Sequence, residues 1–224
     1  MKKSFERAQR RREEGHGYKH DLGQNFLYDD ALLEELVQST GVTKADSVLE
    51  IGPGSGMLTK HLCPHAGKVL AVEVDHDIIP FLKVNTAAFS NLEIVEGDIR
   101  KQNLRELCAP LGENFLVIAN IPYNITTPIF EALWESGLSI RQISVMIQKE
   151  VAEKLMAAPS TAAYGLMSVK CQYYCTPRLE CIVPAEKFTP PPKVDSAFVH
   201  LEIAGDANAE DRAGGKGVRW PLSL

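Results

Sequence analysis

Apolar residues recur along the chain with two spacings, one typical of helices and one typical of buried strands. Between residues 31 and 40, Leu32, Leu33, Leu36 and Val37 fall on one face of a predicted helix. Short apolar runs bounded by turn residues indicate strands, and helical segments separate them. This alternation predicts an α/β fold with a mostly parallel, doubly wound sheet. The runs that predict strands are 47–51, 69–74, 92–95, 116–119, 144–148, 179–183 and 194–201, and the helical segments between them begin near residues 57, 78, 104, 129, 150 and 164.

The two ends of the chain differ in composition from its middle. Residues 1–19 are polar and rich in charge, and we expect a flexible basic arm there. Residues 204–224 combine small and charged residues with little apolar periodicity, and we expect a disordered tail. The predicted elements all fall within residues 20–203. A chain of 224 residues that is 45% hydrophobic can fill one sizeable core, so these residues form a single predicted domain.

Composition narrows the classes of function. No run of about 18 apolar residues is present, so no membrane span is predicted. The five cysteines form no C-x-x-C pair, which favours reduced thiols and a cytoplasmic protein, and no His/Cys group has zinc-site spacing, so we expect no metal. The net charge is −5, yet residues 1–28 carry seven Lys or Arg against four acids. Such a local basic face suits phosphate binding, although a solvated surface explains the same charges.

A glycine-rich turn follows the first predicted strand of the sheet, in "VLEIGPGSGMLT". Gly52, Gly54 and Gly56 allow a tight turn and a close approach of the backbone to a ligand. The dinucleotide fingerprint G-x-G-x-x-G is not met, because Met57 occupies its third glycine position. The turn therefore indicates either a nucleoside site of another kind or a purely structural turn.

Two acids lie at the ends of the next two predicted strands. Glu73 ends the run "VLAVEV", where a carboxylate can accept from the hydroxyls of a ribose, and Asp98 in "EGDIR" can accept from an adenine amine. Carboxyl ends of parallel strands meet at one crevice, so both acids are expected beside the glycine turn. Each acid alone is explained equally well as a surface residue. Together they suit a nucleoside without a pyrophosphate, and S-adenosylmethionine fits better than NAD.

The sequence "NIPYN" ends the apolar run at residues 115–119 and has two interpretations. Proline and asparagine commonly end strands, so the stretch is explicable as a turn alone. It also holds the groups needed to activate an adenine amine. Asn120 and the Ile121 carbonyl can accept the two amine hydrogens, Pro122 has a fixed φ that holds that carbonyl, and Tyr123 can stack on a flipped-out base.

Several stretches together resemble the ribosomal RNA small subunit adenine dimethyltransferase family, the KsgA-like enzymes. They run in order over about residues 18–201: "HDLGQNFL", "EIGPGSG", "VEVD", "EGDI", "NIPYN", "QKEVAEKL", "AYGLMSV", "QYYC" and "FTPPPKVDSA". The resemblance implies a Rossmann-like class I methyltransferase fold over residues 20–203, with S-adenosyl-L-methionine as cofactor and S-adenosyl-L-homocysteine as product. The implied reaction is dimethylation of two adjacent adenosines near the 3′ end of 16S rRNA in the small ribosomal subunit, by a monomeric enzyme.

The resemblance also implies roles for individual residues. The target amine is held by Asn120, Pro122 and Tyr123, and the base is stacked between Tyr123 and Phe188. Spacing alone would instead make Asn25 a helix cap and Phe188 a core aromatic. The residues implied for the cofactor are Asn25, Leu27, Gly52, Gly54, Glu73, Asp98 and Asn120.

One departure from the family pattern bears on the substrate. Family members usually continue into a small helical domain that helps to bind RNA, and here residues 204–224 stand in its place. Three alternatives to this function remain, and the last of them rests on this departure. They are a 23S rRNA dimethyltransferase that confers macrolide resistance, a DNA adenine methyltransferase, and a non-catalytic RNA-binding or ribosome assembly factor built on the same scaffold.

Overall fold

The architecture is a seven-stranded sheet with helices on both faces, seen in a computed structural model that describes residues 25–204. The predicted arm at 1–19 and nearly all of the predicted tail at 204–224 lie outside the described residues. The strands are β1 (Phe26–Leu27), β2 (Ser47–Ile51), β3 (Lys68–Glu73), β4 (Leu92–Glu96), β5 (Phe115–Asn120), β6 (Ile140–Gln148), β7 (Cys175–Val183), β8 (Phe188–Thr189) and β9 (Ser196–Ile203). The helices are α1 (Asp30–Ser39), α2 (Thr59–His65), α3 (Ile79–Asn85), α4 (Leu104–Cys108), α5 (Thr126–Glu135), α6 (Lys149–Met156) and α7 (Leu166–Tyr174).

The strand order confirms the predicted doubly wound sheet. It runs β4-β3-β2-β5-β6-β9-β7, with β2 to β6 parallel and β9 antiparallel to both β6 and β7. The strand order reverses at β2. The chain adds β3 and β4 on one side of β2 and then places β5 on its other side. Because ligands bind α/β sheets outside the carboxyl ends of the strands at such a reversal, the crevice is expected after β2 and β5.

Successive side chains of the central strands point to opposite faces of the sheet, and each face has its own hydrophobic core. Val48 packs on the face covered by α1 and α2, while its neighbour Leu49 packs on the opposite face. The same alternation separates Ile118 from Val117 on β5. Strands that are buried on both faces consist of nearly continuous apolar residues. The apolar runs in the sequence therefore predicted these strands.

The observed elements differ from the predicted ones mainly at their ends. The helix expected from Met57 begins at Thr59, because the glycine turn continues through Leu58. Strand β7 begins at Cys175, four positions before the predicted start at 179, because it follows α7 without a loop. The pair β1 and β8, with Leu27 opposite Phe188, had no counterpart in the prediction. Two-residue strands carry no periodicity to detect.

The described residues contain neither a helix that could cross a membrane nor a group of three or more His, Cys, Asp or Glu arranged to hold a metal. The five cysteines are free, and all but Cys181 are buried. Burial raises the pKa of the Cys63 thiol to about 12 and that of Cys108 to about 11, so these two are packed, unreactive thiols.

Helices α1 and α2 are joined by a cluster of ion pairs on the surface. Glu34 lies 3.0 Å from His61 and 2.7 Å from His65, measured between its carboxylate oxygens and the ring nitrogens. Asp30 pairs with Lys60 at 2.6 Å and with His61 at 3.0 Å. The cluster fixes α1, whose apolar face borders the crevice, against the helix that follows the glycine turn.

Glu34 is expected to contribute to stability in a pH-dependent way. Hydrogen bonds from His61, Gln38 and His65 lower its pKa from 4.5 to about 2. A lowered carboxyl pKa stabilises the fold above 4.5, and the contribution disappears as the pH falls towards 2. Glu34→Gln should therefore flatten the dependence of melting temperature on pH over this acid range. Glu35→Gln, on the same helix and outside the cluster, is the matched control, and an equal flattening there would contradict the assignment.

Candidate active site

A cavity of about 190 Å³ lies at the carboxyl ends of β2, β3 and β5, where the sheet order reverses. Nine of the ten residues to which the resemblance assigns a role line it. The tenth, Phe188, does not line it and is described below. The nine are Asn25, Leu27, Gly52, Gly54, Glu73, Asp98, Asn120, Pro122 and Tyr123.

The glycine turn is needed for close packing as well as for its backbone conformation. Gly54 has a φ of +57°, and a Cβ placed on it would lie 2.7 Å from a ring carbon of Phe26. Gly52 has a φ of +67°, and a Cβ there would meet the ring of Pro122 at 3.3 Å. Both positions favour glycine on conformation and on space. The turn therefore brings β1 and the residues after β5 together around one cavity.

Glu73 holds this turn from the end of β3. Its two carboxylate oxygens accept from the backbone N–H groups of Gly54 at 2.9 Å and of Asp75 at 2.8 Å. The side chain is buried, and burial is the main reason that its pKa is raised. Each oxygen retains a lone pair, so Glu73 can support the turn and still accept a hydroxyl from a ligand.

Glu50 is a feature of the site that the sequence reading missed. It is 1% exposed and lines the cavity, and its Oε2 has no hydrogen-bond partner among the described residues. Burial is the main reason that the pKa of Glu50 is raised to about 8, and the negative charge of Glu73 makes a smaller contribution in the same direction. A glutamate within the apolar strand "SVLEI" was the available signal, since a buried acid without a partner is costly.

Asp98 lies at the cavity wall and is already paired. Its Oδ1 accepts from the Arg100 backbone N–H at 3.0 Å and from the Arg100 Nε at 2.9 Å, and its Oδ2 accepts from Nη2 at 2.7 Å. These hydrogen bonds keep the pKa of Asp98 below its ordinary value. The carboxylate is thus charged and fixed in orientation, with lone-pair capacity left on Oδ2 for a further donor.

Asn120 is oriented by a contact to a segment far away in sequence. Its Nδ2 donates to the Asn25 backbone carbonyl at 3.0 Å. Since only the NH₂ end of an amide can donate to a carbonyl, this bond leaves Oδ1 as the end that accepts. The next residue is fixed too, because the Ile121 N–H donates to the Met146 carbonyl at 3.2 Å.

Pro122 and Tyr123 complete the corner after β5. The Pro122 carbonyl accepts from the Ile125 N–H at 3.2 Å and from the Thr126 hydroxyl at 3.3 Å, which closes the turn that leads into α5. Tyr123 is half-buried at the cavity wall, and its hydroxyl is hydrogen-bonded to the Ser196 hydroxyl. The stretch is therefore a turn, and it also presents an amide and an aromatic ring at fixed positions.

Phe188 does not line the cavity. It is 1% exposed and packs in the core on the α1 side of the sheet, with Leu27, Val183 and Phe198. This position agrees with the core aromatic that spacing alone predicts. A stacking role would require the ring to leave this core, and that role stays a prediction.

Comparison with known proteins identifies the family. The model of the family described as "Ribosomal RNA adenine dimethylase" matches residues 15–212. The chain belongs to this family. A relative from Alkaliphilus oremlandii, named "Ribosomal RNA small subunit methyltransferase A", is 40% identical over 188 residues, which are 83% of this chain and 66% of the relative. The chain thus spans just under two thirds of that relative's length.

Solved structures give the same fold. A dimethyladenosine transferase from Plasmodium falciparum is 30% identical with a TM-score of 0.71, over 84% of this chain and 65% of that one. The 23S rRNA methyltransferase ErmE is 26% identical, also with a TM-score of 0.71, over 84% of this chain and 75% of that one. Together with the sheet order, these similarities confirm the Rossmann-like methyltransferase fold expected from the sequence.

Glu50 gives a test of the site that requires no substrate. A carboxyl whose pKa is raised from 4.5 to about 8 holds its proton more tightly in the folded state, so folding stability falls as the pH rises between these values. Glu50→Gln removes this penalty. We expect the variant to melt at least about 3 °C above the unsubstituted protein at the alkaline end of the range. Thermal unfolding across this pH range measures the difference, with the exposed Glu113→Gln as control. Parallel curves for Glu50→Gln and the unsubstituted protein would contradict the assignment.

Proposed function

We propose that the chain transfers methyl groups from S-adenosyl-L-methionine to the exocyclic amines of two adjacent adenosines near the 3′ end of 16S rRNA. Membership of the ribosomal RNA adenine dimethylase family supports the reaction class. The observation that carries the proposal within the site is the orientation of Asn120, whose acceptor end is set by the bond to Asn25. The proposed setting is cytoplasmic assembly of the small ribosomal subunit, with the protein acting as a monomer.

The residues around the cavity fit this cofactor. An ammonium group suits the unpartnered oxygen of Glu50, ribose hydroxyls suit Glu73, and an adenine amine suits the remaining lone pair of Asp98. The left-handed backbone at Gly52 lets the chain pass close to a ligand without a side chain in the way. The bound cofactor would supply a methyl group already activated by its sulfonium.

The corner after β5 would prepare the nucleophile. An adenine amine is a poor nucleophile because its lone pair is delocalised into the ring. Asn120 Oδ1 and the Ile121 carbonyl would accept the two amine hydrogens and favour a tetrahedral nitrogen with its lone pair free. Pro122 keeps that carbonyl in place, since its φ is fixed and its ring packs beside Gly52. Alignment and electrostatics would then supply most of the acceleration.

The methyl transfer requires no strong base. The amine lone pair forms the new N–C bond as the S–C bond breaks, which leaves S-adenosyl-L-homocysteine. The methylated nitrogen is cationic at that point and acidic enough to lose its proton to water. The monomethylated amine still carries one hydrogen, which Asn120 or Ile121 can hold for a second transfer.

The 23S rRNA alternative is supported by one observation, the similarity in structure to ErmE. The relatives that match at about 40% identity are instead named for the small subunit. A non-catalytic assembly factor on the same scaffold remains the alternative from another class. It would bind the cofactor or the RNA without methyl transfer.

Radiolabelled S-adenosylmethionine distinguishes these functions. The protein is incubated with undermethylated 30S subunits, 50S subunits and DNA, and the labelled nucleosides are identified. Label recovered as dimethyladenosine from 30S subunits is the expected result. Label in 50S subunits alone would select the alternative reaction. Measurable cofactor binding without transfer to any substrate would support the assembly factor and contradict the proposal.

Replacement of Asn120 tests the amine-holding role. Asn120→Ala should reduce methyl transfer by about 10²–10³-fold, the usual effect of removing one preorganised polar group from a reacting centre. The matched control is Asn91→Ala. Asn91 is half-buried and its amide likewise donates to backbone carbonyls, those of Cys63 and Ala66, outside the cavity. A folded Asn120→Ala protein that retains full activity would overturn the role.

A further inference from the structure

The ring of Tyr123 is held at its far end. The residue stands in the turn after β5, three positions past the last strand residue, where a side chain has two torsions free to rotate. Its hydroxyl is hydrogen-bonded to Ser196, which is 73 positions further along the chain. The aromatic face at the cavity wall is therefore fixed both by the backbone turn and by the phenol oxygen.

Ser196 is a rigid anchor. It is completely buried and is the first residue of β9, between Gln148 of β6 and Val183 of β7. The residue before it, Asp195, is also fixed, because its carbonyl accepts from the Lys149 N–H at 3.0 Å and its carboxylate from the Ala185 N–H at 3.0 Å. Main-chain contacts on both sides thus set the position of the Ser196 hydroxyl before any ligand binds.

The hydrogen bond joins two stretches that the sequence reading treated separately. "NIPYN" holds Tyr123, and "FTPPPKVDSA" ends in Ser196 and Ala197. Nothing in either stretch alone indicates the contact. The phenol is a hydrogen-bonding hydroxyl at neutral pH, since its ordinary pKa is 10.0 and burial raises the pKa further.

We propose that Ser196 is a positioning residue for the base-stacking step. It holds the Tyr123 hydroxyl, so that the ring meets a flipped-out purine at a set angle. This inference rests on the proposed function. A stacked base carries its amine at a distance and direction fixed by the ring beneath it. A free ring would place that amine variably relative to Asn120, and misplacement of a reacting atom by about 1 Å is enough to lower the rate about 10²-fold.

A double-mutant cycle tests the proposal. Ser196→Ala and Tyr123→Phe each remove one side of the hydrogen bond and leave the aromatic ring in place. Each should lower kcat/KM for methyl transfer to 30S subunits about tenfold. The double variant should lose no more than either single variant, because the two changes remove one interaction. The dissociation constant for S-adenosylmethionine should stay unchanged in all three.

The matched control is Ser168→Ala. Ser168 is also completely buried, and its hydroxyl donates to the Lys154 carbonyl away from the cavity, so its loss reports general destabilisation only. Effects of Ser196→Ala and Tyr123→Phe that multiply in the double variant would overturn the proposal. So would a Ser196→Ala effect no larger than that of Ser168→Ala. If Ser196→Ala fails to fold, Tyr123→Phe still tests the hydrogen bond, because it removes the phenol oxygen. Unchanged activity in Tyr123→Phe would then overturn the proposal.

A second measurement separates failure of this inference from failure of the proposed function. Fluorine NMR of protein containing 3-fluorotyrosine reports on the Tyr123 ring without any substrate, and Tyr123→Phe assigns its signal. Ser196→Ala should shift and broaden that signal, while Ser168→Ala should not. If the unsubstituted protein transfers no methyl groups, the proposed function fails. Independently of that result, an unshifted fluorine signal in Ser196→Ala would contradict the positioning of the Tyr123 ring by Ser196.

Discussion

The hydrogen bond from the Asn120 amide to the Asn25 carbonyl is the constraint on which the rest of the site depends. It spans 95 positions of sequence and decides which end of the amide accepts. It also ties β1 to the end of β5, and β1 in turn pairs with β8 through Leu27 and Phe188. The corner that would hold an amine is thereby fixed by parts of the chain that the sheet alone does not bring together.

The cavity has a second organising feature in its acids. The negative charge of Glu73 adds to the burial that raises the pKa of Glu50, and both carboxyls are buried. The Glu73 carboxylate is stabilised by hydrogen bonds from two backbone N–H groups, whereas Oε2 of Glu50 has no hydrogen-bond partner among the described residues. A buried acid without a hydrogen-bond partner lowers the stability of a core, so its presence in the cavity favours a site for a cationic or hydroxyl-bearing ligand.

The positions of most site residues could be predicted from sequence because they follow strand ends. Glu73 and Asn120 are the last residues of β3 and β5, Asp98 lies two positions after β4, and parallel strands bring such ends together. Partnerships across the fold could not be predicted in this way. The contact of Tyr123 with Ser196 depends on side-chain positions that only packing determines. Phe188 shows the opposite case, since spacing favoured a core residue and the structure places it in the core.

A crystal structure with S-adenosyl-L-homocysteine and a short adenosine-containing RNA would show whether the corner after β5 holds the target amine. The target amine is expected within about 2.7–3.2 Å of both Asn120 Oδ1 and the Ile121 carbonyl. The Asn120 Nδ2 should remain bonded to the Asn25 carbonyl. An adenosine bound with its amine away from this corner, or an Asn120 amide turned so that Nδ2 faces the base, would contradict this arrangement.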